Sequence, residues 1–98
     1  MAFVQVMEAS TSNYDAIAQL ESEWRAATEG KRTLRRSIVA RDRTDANHYV
    51  ILAFFDSYES AMENSNLAET KEFAAKVEKL ADGPIKFSDF DVVEERSS

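Results

Sequence analysis

The stretch that decides the fold is residues 48–80, HYVILAFFDSYESAMENSNLAETKEFAAKVEKL. Residues 49–55 form an unbroken apolar run, too short for a buried helix and rich in β-branched and aromatic side chains, which predicts a strand covered on both faces. The rest carries apolar residues at helical spacing, which predicts a helix with one apolar face. In a chain of 98 residues, one helical layer covers one face of such a strand. We therefore expect a second copy of the protein to cover the other face.

The remaining elements are predicted from the same periodicities. Apolar residues at steps of three and four, followed by Gly30, predict a helix over residues 14–28. Asn64, Ser65 and Asn66 predict a break that divides the helical region after strand three into two pieces. The second piece ends before Asp82-Gly83-Pro84. The predicted strands are residues 2–7, 33–43, 48–55 and 85–94.

This order of elements, βαββαβ, predicts an α+β fold. Right-handed crossovers arrange it as a ferredoxin-like sandwich, an antiparallel four-stranded sheet in the spatial order 4-1-3-2 with the helices on one face. Strands one and three then lie in the centre, and they are the two most apolar strands of the chain. We expect residues 1–95 to form a single domain and residues 96–98 to form a tail.

Composition argues against several classes of function. The net charge of −6 disfavours a nucleic-acid partner, because attraction to phosphate dominates such binding. No cysteine and a single histidine leave no disulfide and no multi-histidine metal site within one chain. No run approaches 18 apolar residues, and the first residues lack the basic and apolar pattern of a signal peptide. We therefore expect a cytoplasmic protein that does not act on membranes.

Residues 50–62, VILAFFDSYESAM, resemble a known family. An apolar strand ends in an aromatic residue, then come Asp-Ser and a helix that begins with Glu and Ala. Together with the element order, this resembles the dimeric α+β barrel superfamily, in particular its antibiotic biosynthesis monooxygenase-like branch. The resemblance implies a homodimer packed sheet to sheet, with a ligand cavity between sheet and helices. It also implies a cofactor-independent monooxygenase that oxidises a small phenol or quinol with oxygen.

One departure from that family limits the chemistry. Many members carry a histidine on the helix after strand three, whereas residues 57–81 contain none and Asn64 or Ser65 stands nearby. The obvious haem ligand is therefore missing, so we do not expect haem degradation, and we predict no cofactor and no metal. The alternative to an enzyme is a non-catalytic dimer that binds a small ligand or serves as a stress-related structural barrel.

His48 and Asn66 are the candidate catalytic residues. His48 opens strand three, and a histidine that points towards the helices would take a proton from a phenolic ligand near neutral pH. Asn66 lies at the predicted helix break, where its amide would bind a ligand at the mouth of the cavity. Both residues also have a structural interpretation, His48 as a surface residue of the hairpin and Asn66 as a capping residue.

Trp24, Arg36 and Phe73 are the candidate binding residues for a small aromatic ligand. Trp24 lies on the apolar stripe of helix one and would stack on the ligand, unless it is a core anchor whose indole N–H is bonded to a carbonyl. Phe73 lies on the apolar face of the last helix, where it would form the facing wall or simply belong to the core. Arg36 would stabilise an anionic ligand, unless it is a solvated charge with a buried stem.

Overall fold

The computed structural model describes residues 2–98, and its strand order is the one that the sequence predicts. The sheet has the order β2-β3-β1-β4, every neighbouring pair is antiparallel, and the fold class is therefore confirmed. The elements are β1 (Phe3–Ser10), α1 (Tyr14–Ala27), β2 (Arg36–Arg41), β3 (His48–Phe55), α2 (Tyr58–Asn66), α3 (Ala68–Leu80) and β4 (Lys86–Asp91).

The predicted bounds of β3 are confirmed, but those of the other three strands shift, and β4 is shorter than predicted at both ends. β1 continues to Ser10, because its last residues pair with the beginning of β3, Ser10 opposite His48. β2 begins only at Arg36, because Thr33, which precedes it, is hydrogen-bonded to α2. The hydroxyl of Thr33 donates to the carbonyl of Ser60 at 2.6 Å.

The helix break lies at Leu67, and its prediction at residues 64–66 is wrong. Leu67 has an extended backbone (φ −63°, ψ 136°), which ends α2 and begins α3. Asn64 remains inside α2 because its amide has a tertiary partner: Oδ1 accepts a hydrogen bond from the backbone N–H of Thr33 at 3.3 Å. Asn66 is the last residue of α2 and is exposed.

Residue parity divides the sheet into two faces, because residues opposite each other on antiparallel strands share a face. Odd-numbered strand residues face the helices. Tyr49 stacks on Tyr14 of α1 with ring centroids 4.6 Å apart. Phe3, Ala53 and Phe55 join Ala61 of α2 in the small core. We call this the helix side of the sheet.

The other face carries the even-numbered strand residues, and no element among residues 2–98 covers it. We call it the outer face; it consists of Val4, Val6, Glu8, Ser10, Arg36, Ile38, Ala40, His48, Val50, Leu52, Phe54, Lys86, Ser88 and Phe90. Ile38 and Phe90 are exposed large apolar residues of this face. Both lie on the edge strands β2 and β4, whereas the apolar residues of the central strands, among them Val50 and Leu52, are half-buried. The outer face is therefore an apolar surface partly open to solvent, which is a property of interaction surfaces.

The accessible surface of the chain is large for its mass. It is 6848 Å² for a protein of 11.1 kDa. A compact monomer of this mass exposes about 5,700 Å², which leaves an excess of roughly 1,200 Å². The uncovered outer face and the extended C-terminal residues both contribute to this excess.

Candidate functional site

Trp24 and Phe73, which the sequence predicts as facing walls of one cavity, contact each other directly between α1 and α3. Their ring planes are stacked with centroids 5.7 Å apart. The indole Nε1 of Trp24 donates a hydrogen bond to Oγ1 of Thr70 at 2.9 Å. The guanidinium of Arg32 lies 5.6 Å from the indole centroid. Trp24 is thus a buried aromatic wall whose only polar atom is already bonded within the chain.

A polar chain that the sequence analysis missed connects α1 with β2 on the helix side of the sheet. Nε of Arg25 donates to the carboxylate of Glu21, and its Nη2 donates to Oγ of Ser37 at 3.0 Å. The only sequence signal was the Glu-Arg spacing of four residues, which is common on solvated helices. Arg25 is the cation of α1 that reaches the sheet, whereas the cation over the indole of Trp24 is Arg32.

His48 lies on the outer face and not towards the helices. Its Nδ1 lies 2.9 Å from Oδ2 of Asp42, and its Nε2 lies 3.5 Å from Oε1 of Glu8. The hydrogen bond with Asp42, supported by the charges of Asp42 and Glu8, raises the pKa of His48 above 6.5. The same bond, with further bonds from Thr44, holds the pKa of Asp42 well below its usual range.

This histidine opens onto a groove at one end of the sheet. The groove has a volume of about 430 Å³ and is lined by residues of β1, β3 and the α3–β4 turn, among them Ser10, His48, Asp82 and Lys86. Nζ of Lys86 lies 3.8 Å from Oε2 of Glu8. His48 therefore takes part in a network of charges on the outer face, on the far side of the sheet from Trp24.

Arg36 and Asn66 lie apart from the aromatic wall. Arg36 is exposed on the outer face, and its guanidinium lies 4.9 Å from the ring centroid of Phe54. Asn66 is exposed at the end of α2. Of the five predicted site residues, the structure thus brings Trp24 and Phe73 into contact, while His48 and Arg36 lie on the opposite face of the sheet.

The described part of the chain offers no preformed metal site and no membrane span. Among residues 2–98, no group of three or more His, Asp or Glu side chains is placed to hold a metal ion. None of the helices within that range combines the length and the hydropathy needed to cross a bilayer.

Solved structures of several other proteins have the same fold. A variant of SnoaB, a cofactor-independent oxygenase from Streptomyces nogalater, superposes with a TM-score of 0.81 over 96% of this chain and 95% of that one, at 13% identity. Rv0793 from Mycobacterium tuberculosis matches with a TM-score of 0.79 over 99% of this chain and all of its own, at 13% identity.

A further structure, named only as an antibiotic biosynthesis monooxygenase, has a TM-score of 0.74 at 12% identity and covers 96% of this chain and 100% of its own. At such identities the likeness shows a shared fold, the one that the resemblance of residues 50–62 implies. In sequence, the chain matches no protein-family model and no curated protein.

Proposed function

We propose that the protein is a cofactor-independent monooxygenase that oxidises a small phenolic or quinol substrate held between the helices and the helix side of the sheet. The likeness in fold to SnoaB over 96% of the chain is the observation that carries this proposal. The stacked pair of Trp24 and Phe73 supports it, because flat aromatic side chains between the layers suit a flat aromatic ligand.

The chemistry requires little of the protein. A deprotonated phenol with an activated ring CH₂ group reacts with O₂ when that group becomes C=O. One oxygen atom then enters the substrate, and the other leaves as water with the two hydrogens of the CH₂ group. All four electrons come from the substrate carbon, so the protein supplies an apolar site and a cation for the phenolate. Arg25 is the cation that we assign to this role, beside Trp24 and Phe73 as walls.

We also propose that the functional unit is a homodimer closed by the two outer faces, which would complete a dimeric α+β barrel. The excess of accessible surface, about 1,200 Å², is of the size that one partner buries in a standard interface, about 800 Å². The exposed apolar residues Ile38 and Phe90, one on each edge strand of this face, support it as the interface. A cytoplasmic location remains our expectation, which cell fractionation tests.

One observation favours a second candidate, a dimer that binds a small ligand or serves as a structural barrel without catalysis. Among residues 2–98, no buried side-chain nitrogen or oxygen lacks a hydrogen-bond partner. The indole N–H of Trp24 in particular is bonded to Thr70. Such a site has no unpaired buried donor available to bind the oxygen of a ligand. Sites that stabilise an anion in catalysis present such donors.

Oxygen consumption separates the two candidates. Purified protein, free of flavin and metal, is mixed with polycyclic phenols that carry a ring CH₂ group, and with hydroquinones for comparison, while oxygen uptake and the fluorescence of the single tryptophan are recorded. If the protein is an enzyme, we expect the rate of oxygen uptake to fall several-fold in Phe73→Leu and the KM for the substrate to rise in Arg25→Gln. Phe87→Leu is the matched control, because Phe87 is 58% exposed and lies on β4, at the opposite edge of the sheet from β2, where Arg25 contacts Ser37. Quenching without uptake would favour the binding protein.

His48 and Asn66 are tested in the same assay, because the sequence predicts them as catalytic residues. A direct role of His48 would abolish uptake in His48→Ala at every protein concentration. A role in assembly alone would reduce uptake only where the dimer dissociates. Asn66→Ala would lower uptake if the exposed amide at the end of α2 contacts the substrate.

A further inference from the structure

One end of the outer face carries a cluster of charged groups from four parts of the chain. His48 begins β3, Glu8 lies on β1, Lys86 begins β4 and Asp42 follows β2. His48 bridges the two carboxylates, with Nδ1 2.9 Å from Asp42 and Nε2 3.5 Å from Glu8. Lys86 reaches Glu8 from the other side at 3.8 Å. We call these four residues the histidine cluster.

The net charge of the histidine cluster changes near neutral pH through the protonation of a single group, His48. With His48 neutral, two carboxylates oppose the single ammonium group of Lys86, and the cluster carries one negative charge. With His48 protonated, the charges balance. Two further carboxylates lie close by: Asp45 acts on His48 through its charge, and Asp82 lines the same groove as His48. With these two carboxylates included, this end stays negative in both states, and protonation of His48 reduces its negative charge by one.

The histidine cluster is continuous with the apolar part of the outer face. Glu8 follows Val6 on that face and lies opposite Val50, and His48 precedes Val50 on the same side of β3. A second copy that covers the apolar centre would therefore also remove water from this end. Dehydrating an unbalanced carboxylate is costly, whereas dehydrating a balanced, hydrogen-bonded cluster costs much less.

We propose that the outer face binds a second copy of this chain, and that protonation of His48 strengthens this self-association. The inference rests on the homodimer proposed above and adds its regulation by pH. A second copy fits the face because in a two-fold dimer the same apolar patch of each chain packs against the other. It also fits the charge, because two chains of net charge −6 repel each other and a balanced cluster removes negative charge where they meet.

The direction of the effect follows from proton linkage. If covering the face favours the protonated form of His48, each chain takes up a proton on dimerisation, and the dimer is tighter on the acidic side of this titration. The hydrogen bond with Asp42 already raises the pKa of His48 in the single chain, so the change falls on the alkaline side of the ordinary histidine pKa of about 6.5. If dimerisation raises the pKa of His48 by one further unit in each chain, the dimer Kd is roughly a hundredfold larger at alkaline pH than at acidic pH, because each histidine contributes a factor of about ten.

Sedimentation velocity on dilution series at pH 6.0 and 8.5, at constant ionic strength, tests the proposal. We expect the dimer Kd of the natural sequence to rise at least tenfold from pH 6.0 to 8.5, and the Kd of His48→Gln to stay within twofold. An equal pH dependence in His48→Gln would overturn the proposal, because it would assign the effect to the general charge of the protein. A Kd independent of pH in the natural sequence, or a monomer at both pH values, would overturn it as well.

Two variants separate failure of this proposal from failure of the dimer or of the enzyme. Asp42→Asn removes the main partner of His48 and should move the midpoint of the pH dependence to lower pH. Leu52→Asp places a charge in the centre of the outer face and should give a monomer at both pH values. A Leu52→Asp dimer would show that another surface associates. Circular dichroism verifies that each variant is folded, and oxygen uptake reports on catalysis independently.

Discussion

The indole of Trp24 and the hydroxyl of Thr70 join the two long helices of the protein. Nε1 of Trp24 donates to Oγ1 of Thr70 at 2.9 Å, from the last turns of α1 to the first turn of α3. The indole is 8% exposed, so its N–H depends on this acceptor and not on water. The bond fixes the orientation of the aromatic wall that the proposed substrate would contact.

Loss of the hydroxyl at position 70 should destabilise the fold. Thr70→Val keeps the shape of the side chain and leaves the indole N–H of Trp24 without an acceptor, which costs about 1–3 kcal/mol in the free energy of unfolding. Thr70→Ser is the matched control, because it retains the hydroxyl. Urea unfolding followed by tryptophan fluorescence measures both variants. Equal stability of Thr70→Val and Thr70→Ser would contradict the importance of this bond.

The two asparagines of α2 should differ sharply in their contribution to stability. Asn64→Leu removes the acceptor of the Thr33 N–H and places an apolar group where the amide was, so we expect a loss of about 1–3 kcal/mol in the free energy of unfolding. Asn66→Ala changes an exposed residue of the same helix and should alter it by at most about 0.5 kcal/mol. Chemical denaturation of both variants tests the contrast, and similar losses would refute it.

The titration of His48 is directly observable, because it is the only histidine of the chain. NMR of the imidazole protons should give a pKa above 6.5, and the value should fall in Asp42→Asn because the hydrogen bond with Asp42 is the largest cause of the rise. A raised pKa in the folded state means that His48 stabilises the fold fully below about pH 6.5, and that this contribution is lost as pH rises through the folded value. An unchanged pKa in Asp42→Asn would contradict this assignment.

The sequence predicts the sheet well because its signals are local. The apolar run of β3 has sharp polar borders on both sides, so its bounds are correct from His48 to Phe55. Asn64 was misassigned to a helix break because its partner, the N–H of Thr33, lies 31 residues away. An amide that breaks a helix and an amide that binds a distant backbone look the same in the sequence.

The sequence could not show on which face of the sheet the side chain of His48 lies, for a related reason. Both parities of β3 are apolar, Tyr49, Ile51 and Ala53 on one face and Val50 and Leu52 on the other, so the pattern cannot assign either set to the helices. Packing decides it, because Tyr49 stacks on Tyr14 of α1. Every even-numbered residue of the strand, including His48, then lies on the outer face.

The most direct test of the proposed function is oxygen uptake with a polycyclic phenol in the absence of any added cofactor. We predict uptake with one O₂ consumed per oxygenated product, incorporation of one ¹⁸O atom from labelled O₂, and quenching of Trp24 fluorescence by the bound substrate. Phe73→Leu should lower the rate several-fold, whereas Phe87→Leu should leave it unchanged. Substrate binding without oxygen uptake, or uptake that is indifferent to the Phe73 substitution, would contradict a monooxygenase at this site.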